Sequence, residues 1–332
     1  MSFMTGIKAN KAYRLQKSGA TEEAKRLYDE CFAEGLNDAR YVLSYALLMI
    51  RDGEYQRAKE FLVKHQKAPG MTGEQRVNLL VDYAACCFRL GDLDKGISTL
   101  EQQYRKGETG LIYQTLGYLY VEKYDAAKKP DFAAERAAAE AETAAAEAAA
   151  AKTGDTATET PADEAGDTTG ETPAEETVDQ TAEGAGNKAA EDGGTAAEAP
   201  GEESGPAEAS APEEKQLTPE EEWNAGVEKA EAFLQKAVEY DDEDAICLDN
   251  MGQFLYRVKE DKAAAKPYFE KALAIKDTQI DTLYFLSRYD EEAGDRAAAV
   301  AKLEKALTGR FSPLNYLTKD MAEQEIARLK GE

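Results

Sequence analysis

The sequence predicts an all-α protein: a solenoid of about six antiparallel helix pairs, closed by a C-terminal capping helix, with one pair split by a long acidic insert. Three observations predict it. The segment Gly19-Ala-Thr-Glu-Glu-Ala24 recurs 34 residues on as Gly53-Glu-Tyr-Gln-Arg-Ala58, and 38 residues further as Gly91-Asp-Leu-Asp-Lys-Gly96. Nearer the C-terminus, Ala265-x-x-x-Phe269-x-x-Ala272 returns 34 residues later as Ala299-x-x-x-Leu303-x-x-Ala306. Between Ala133 and Glu222 there is no aromatic residue, and Val178 and Leu217 are the only large aliphatic ones. A fixed period of this length with helical spacing is the signature of stacked helix pairs, each too small to bury its apolar face alone.

Taken in order, six units cover residues 5–36, 38–70, 74–107, 109–241 with the insert, 244–277 and 278–309. Each first helix carries a small residue at one position: Ala12, Ala46, Ala84, Gly117, Gly252 and Ser287. A small side chain lets two helices approach closely while larger neighbours fill the groove between them. The first unit has Lys8 and Lys11 where later units are apolar, as an uncovered end requires. The fifth has one extra residue between its helices, and the sixth has Asp290 where an aromatic is usual. After the last unit, Asp320 can cap a helix to about Lys330 carrying Met321, Ile326 and Leu329.

Twelve residues separate Ala46 from Ala58 in an intact unit, whereas 113 separate Gly117 from Ala230 in the fourth. About a hundred residues therefore lie in a turn between two helices that should still pair, with Gly117 facing Ala230. The cost of closing so long a loop grows only logarithmically with its length. The fold resumes at Thr218-Pro219-Glu220-Glu221, a threonine cap with proline at the first helical position and a reciprocal Glu. Three regions follow: an array over 1–124, an acidic Ala/Glu/Thr/Gly-rich insert over 125–217, and the remainder of the array over 218–332. The insert cannot bury enough apolar surface to offset its ordering entropy, so it is expected to be mostly disordered. Its Ala-rich stretch Asp131–Lys152 is expected to form a solvated helix.

The pattern resembles the tetratricopeptide-repeat (TPR) family, W-x-x-L-G-x-x-Y on one helix and A-x-x-x-F-x-x-A on the next. The best matches are Tyr113-x-x-Leu116-Gly117-x-x-Tyr120 for the first and Ala230-x-x-x-Leu234-x-x-Ala237 for the second. The resemblance implies a right-handed superhelix whose concave groove, lined by first helices, binds a peptide or protein. Carried over residue by residue, that groove holds Tyr13, Lys17, Leu47, Ile50, Arg51, Phe88, Arg89, Tyr118, Tyr256 and Arg257. A clamp for a terminal carboxylate, which some members carry, is not expected, since Ala9, Tyr13, Ser44, Asn78 and Asp82 stand at its positions.

Composition narrows the function classes. The net charge is -25, and residues 131–218 alone hold 23 Asp/Glu against 4 Lys/Arg. Such a segment repels nucleic acid and anionic membrane. Cys31, Cys86, Cys87 and Cys247 form no C-x-x-C pair and suit buried thiols in a reducing cytoplasm, and neither a signal peptide nor a membrane span is evident. His65 is the only histidine, at a helix-packing position, and no phosphate loop, nucleophile elbow or metal spacing appears. The expectation is a cytoplasmic, non-enzymatic scaffold without cofactor. Its alternative is a structural or self-associating array with the insert as a solubilising spacer. Expected partners are a protein or peptide ligand, an intramolecular contact between the acidic insert and the groove, and a second copy of the chain.

Overall fold

The computed structural model describes residues 3–153 and 217–331. Among them all regular structure is helical, with fourteen α-helices and no strand. Residues 1–132 and 217–332 form one compact unit, and residues 133–216 form a second.

The first unit is a stack of helix pairs. These are α1 (Phe3–Ser18) with α2 (Thr21–Ala33), α3 (Ala39–Arg51) with α4 (Tyr55–His65), and α5 (Gly73–Arg89) with α6 (Leu93–Tyr104). Helix α7 (Gly110–Tyr124) leads into a short 3-10 turn over Ala126–Lys128 and then into α8 (Phe132–Thr153). The chain returns in α9 (Pro219–Tyr240), which packs on α7 and completes the split pair. There follow α10 (Ala245–Gln253) with α11 (Lys262–Ile275), α12 (Ile280–Glu292) with α13 (Arg296–Leu307), and a closing α14 (Lys319–Lys330). In the second unit the side chains of residues 133–146, on α8, are exposed. The expected disorder over 154–216 lies outside the described residues.

Local chemistry accounts for the ends. Thr72 and Gln75 cap α5 reciprocally, and Thr218 and Glu221 do the same for α9, with Pro219 at its first position. Thr318, not Asp320, caps α14, its side chain accepting from the Met321 amide. Gly19, Gly53, Gly91 and Gly294 end four of the first helices at φ between +77° and +87°, a conformation that carries no Cβ penalty only for glycine.

The small positions do what close packing requires. Ala12, Ala46 and Ala84 are fully buried. A Cβ on Gly252 would stand 2.7 Å from the Phe269 ring, so only hydrogen fits between α10 and α11. In the split pair the atoms nearest a Gly117 Cβ are Leu234 Cδ2 at 3.0 Å and Asn250 Nδ2 at 3.2 Å, and Asn250 of α10 donates to the Gln114 carbonyl at 2.7 Å. Further along, a Cβ on Gly226 would overlap the Tyr124 hydroxyl and stand 2.5 Å from its Cζ, so Gly226 of α9 seats the Tyr124 side chain from the C-terminal end of α7.

The extra residue of the fifth pair is absorbed directly after α10. Phe254–Val258 forms a π-helical turn, closed by the Lys259 amide on the Phe254 carbonyl at 3.1 Å. The bond that seals the other first helices spans five residues, as in Glu54 N to Met49 O at 2.9 Å, whereas here Asp261 N reaches Leu255 O across six, at 2.8 Å. Glu260 consequently takes the place of the terminal glycine, at φ +55°.

Candidate binding face

Some cations of the array are ion-paired and three on the first helices are not. On the second helices, lysines pair with acids of the neighbouring pair. Lys25 meets Asp52 at 2.8 Å and also Glu54, and Lys59 meets Asp92. Lys229 of α9 reaches Glu101 of α6 at 2.5 Å, tying the split pair to the third. These exposed pairs tie successive units together but contribute little individually. On the first helices, Lys17, Arg51 and Arg89 have no carboxylate of a described residue within ion-pair distance.

Toward the C-terminus the first-helix face is covered by the chain's own connection between α13 and α14, residues 308–318. Asp281, buried in the first turn of α12, accepts hydrogen bonds from the amides of Tyr316 at 3.1 Å and Leu317 at 2.9 Å and from Asn315 Nδ2 at 3.1 Å. Tyr316 packs against Tyr284 and Phe285 with centroids 5.5 and 5.3 Å apart, and the Arg257 guanidinium lies 4.1 Å from its ring centre. Leu314 joins the central core and Leu317 is fully buried.

Beside this connection remains a cavity of about 420 Å³. Its apolar wall includes Val81, Leu111, Tyr118, Ile246, Ile280 and Leu314, with Gln114, Asn250 and Asp249 adding polar groups and Lys276 and Arg310 the cations. Burial pushes the Asp249 and Asp281 carboxyls up, and hydrogen bonds to Asp249 from Thr282 and Gln253 oppose this. A smaller cavity on the connection's other side is lined by Asp125, Tyr256, Arg257, Glu260, Arg288 and Tyr316, among others.

Arg257, expected on an open groove, lies in the interior, on the wall of the smaller cavity. It is 7 % exposed, bonded through Nε and Nη2 to Asp125 at 3.0 and 2.6 Å, through Nη2 to Glu122 at 2.8 Å and through Nη1 to Gln253 at 2.9 Å. The π-turn lies over this residue, on the helix that packs against the end of α7. Burial raises the Glu122 carboxyl, but Arg257 and Lys128 outweigh it and leave the group below its ordinary value.

Ile50 is likewise buried, in the N-terminal core with Tyr45 and Met49, rather than on a groove floor. Tyr118 is 4 % exposed but lines the cavity. Phe88 packs edge-on against it at 5.7 Å. Leu47 is exposed, and Tyr13 and Tyr256 are partly buried. Lys17 folds over its neighbour Tyr13 at 4.7 Å, and Arg89 leans over Tyr55 of α4 at 5.6 Å. Arg51 has Arg310 and Asp82 as charged neighbours: burial, then the like charge of Arg310, pulls its guanidinium below the ordinary value, while Asp82 opposes this. Arg310 escaped sequence reasoning because it follows the last counted unit. Phe311, Leu314, Tyr316 and Leu317, four large apolar residues in a connection, were the available sign that this segment packs. His65 sits between the rings of Phe32 and Phe61, with Nδ1 3.2 Å from Asn37 Oδ1.

No protein-family model matches the chain, and no curated protein matches its sequence. Solved structures match its fold. A thermophilic TPR protein of Thermus thermophilus is 13 % identical, with a TM-score of 0.50, over 88 % of this chain and 99 % of that one. A TPR protein of Parabacteroides merdae is 10 % identical, with a TM-score of 0.43, over 99 % of both. The chain has the fold of tetratricopeptide-repeat proteins.

Proposed function

We propose that this protein is a non-catalytic scaffold whose first-helix face binds a protein segment mixing acidic and apolar side chains. One observation carries it: Lys17, Arg51 and Arg89 on that face have no carboxylate partner among the described residues, while Lys25, Lys59 and Lys229 on the second helices are paired with the neighbouring unit. Around Arg51 the face also offers Leu47 and the edge-on pair Phe88 and Tyr118. Anionic groups near such cations gain charge-assisted hydrogen bonds, and apolar neighbours supply area. The four free, buried cysteines suit a reducing compartment such as the cytoplasm. No helix of the described residues is long and apolar enough to cross a membrane. The expected contact between the acidic insert and the groove involves residues outside those described.

The test is an array of immobilised acidic–apolar peptides probed with three proteins. Relative to wild type, Lys17→Glu/Arg51→Glu/Arg89→Glu should lose at least tenfold in affinity, and Lys25→Glu/Lys59→Glu should retain full binding. Equal loss in both would move the site off the first-helix face.

A second reading has its own observation. Phe3, Met4 and Ile7 are 83, 60 and 49 % exposed on α1, an apolar patch suited to end-to-end association. Sedimentation across a hundredfold concentration range decides it: a self-associating array shifts to dimer, and Phe3→Ser/Ile7→Ser abolishes the shift.

A further inference from the structure

The 420 Å³ cavity has an outer and an inner zone of unlike chemistry. Its outer wall carries Lys276, directly after α11, and Arg310 of the α13–α14 connection. Both are exposed, and neither has a carboxylate of a described residue within ion-pair distance. Its inner wall carries Thr115 of α7 and Asn250 of α10, 3 and 1 % exposed, among the apolar side chains of Val81, Tyr118, Ile246 and Leu314. Asn250 donates through Nδ2 to the Gln114 carbonyl at 2.7 Å, which fixes the orientation of its amide, and its Oδ1 accepts no hydrogen bond. The Thr115 hydroxyl makes none either. Among the described residues no fully buried polar side-chain atom lacks a partner. These two oxygens therefore lie within the little surface that their residues expose, and that surface opens on the cavity they line.

Asp249 and Asp281 also stand on the wall, their carboxylates already accepting from Thr282, Gln253 and the connection. The inner zone thus offers acceptors and acids, the outer zone cations. An aliphatic occupant would strip water from Asn250 Oδ1 without replacing its hydrogen bond. A carboxylate pushed inward would meet Asp249 and Asp281, and a cation would first meet Lys276 and Arg310. The matching occupant is apolar in bulk and brings one N–H donor inward. An indole is that group, since its nitrogen donates and never accepts. Ligand pockets run from about 300 to 1,000 Å³, and this one, near the small end, has room for one large ring and its neighbouring main chain.

We infer that this cavity is the anchor pocket of the first-helix face: it takes a tryptophan side chain of the partner, indole N–H toward Asn250 Oδ1, with a carboxylate beside it in the partner's sequence held by Lys276 and Arg310. This rests on the first-helix face being the binding face, and it names the residue that the face selects. The pocket adjoins the apolar patch of that face, because Tyr118 on its wall packs against Phe88 at 5.7 Å. The α13–α14 connection is part of the site, held by its three hydrogen bonds to Asp281 and by the burial of Leu317.

The probes are capped pentapeptides with a central tryptophan, 3-benzothienylalanine (its isostere with sulfur for N–H) or glycine, flanked by Glu or by Gln, titrated calorimetrically into the full chain. The Glu-flanked tryptophan peptide should bind best. The isostere should weaken it about fivefold, the loss of one hydrogen bond, and glycine at least tenfold. In Asn250→Ala the difference between tryptophan and its isostere should vanish while both still outbind glycine. In Lys276→Gln/Arg310→Gln the preference for Glu over Gln should vanish. Both of those positions are exposed, so this variant keeps the fold, and unchanged thermal unfolding checks it. Equal binding of tryptophan and its isostere to the wild-type chain would overturn the indole seat, whatever Asn250→Ala does to the fold. Survival of either difference in its variant would overturn the pocket. In any of these failures, loss of the acidic peptides in Lys17→Glu/Arg51→Glu/Arg89→Glu leaves the first-helix face standing, and their unchanged binding there removes the face as well.

Discussion

Arg257, in the π-turn that follows α10, reaches back to Asp125, 132 residues earlier in the chain, and holds its carboxylate through two donors at 2.6 and 3.0 Å. Asp125 directly follows α7, where the chain leaves the array for its insert, so this contact fastens the root of the insert to the next helix pair. Arg257→Ala would leave Glu122 and Asp125 buried without their cation and should destabilise the protein by about 3 kcal/mol or more. Arg257→Lys, lacking the fork, should recover only part of that. Urea unfolding measures both. A loss of under about 1 kcal/mol for the alanine variant would show that the cluster is not needed at this junction.

Glu260 stands where four other first helices end in glycine, at φ +55°. A side chain in the left-handed region costs roughly 1 kcal/mol or more. Glu260→Gly should therefore stabilise the chain by a few tenths to about 1 kcal/mol, the added flexibility of glycine offsetting part of the relief. The reverse change, Gly53→Glu, should destabilise by a similar amount. Thermal unfolding of the two variants should move in opposite directions.

Asp82 gives a pH signature. Burial pushes its carboxyl up to about 7, against the opposing charge of Arg51 on α3; Cys86, on its own helix, is the other titratable group coupled to it. The folded pKa thus lies above the unfolded one near 3.8. Native Asp82 keeps a proton that the unfolded chain has lost, and the stability this supplies drains away as pH rises from about 4 through 7. Asparagine cannot ionise. Asp82→Asn should unfold like wild type near pH 4 and be more stable by up to about 4 kcal/mol at pH 8, each of the roughly three pKa units being worth ~1.4 kcal/mol. Glu122, whose carboxyl is depressed, runs the other way in both proteins, so the difference between them is the quantity to plot. A gap independent of pH would contradict the assignment.

The pairing of α7 with α9 across the insert can be tested at Gly226. An added methyl overlaps the Tyr124 hydroxyl, and Tyr124 is only 8 % exposed, so its ring has little room to yield. Gly226→Ala should cost about 1–3 kcal/mol as overpacking does. Adding Tyr124→Val should recover part of the loss, a coupling that only touching residues show. Strict additivity would mean that the two helices do not meet there.

The helix pairs were legible because the physics that stacks them is periodic: each unit repeats the same small residue, cap and terminal turn, and even a hundred inserted residues leave both halves of the fourth pattern intact. The face was less legible. The extra residue between Gly252 and Ala265 was visible, but spacing alone does not say whether a helix or a loop absorbs it. Its absorption as a π-turn went with Arg257 lying in the interior. Ile50 falls on the helix side that meets the N-terminal core, a matter of a fraction of a turn that a uniform count along the helix misses. Arg310 lies in a segment with no repeat to index it, so its place on the cavity wall could not be counted from the helices.

The most direct measurement is photo-crosslinking of a Leu-Glu-containing peptide to protein carrying benzoylphenylalanine at single apolar positions. Leu47 stands on a first helix, 36 % exposed, and Val63 on a second, 48 % exposed. The peptide should crosslink at Leu47 and at Phe88, lose both crosslinks in Arg51→Gln, and give none at Val63. Crosslinking at Val63 with none at Leu47 or Phe88 would place the binding face on the other side of the array.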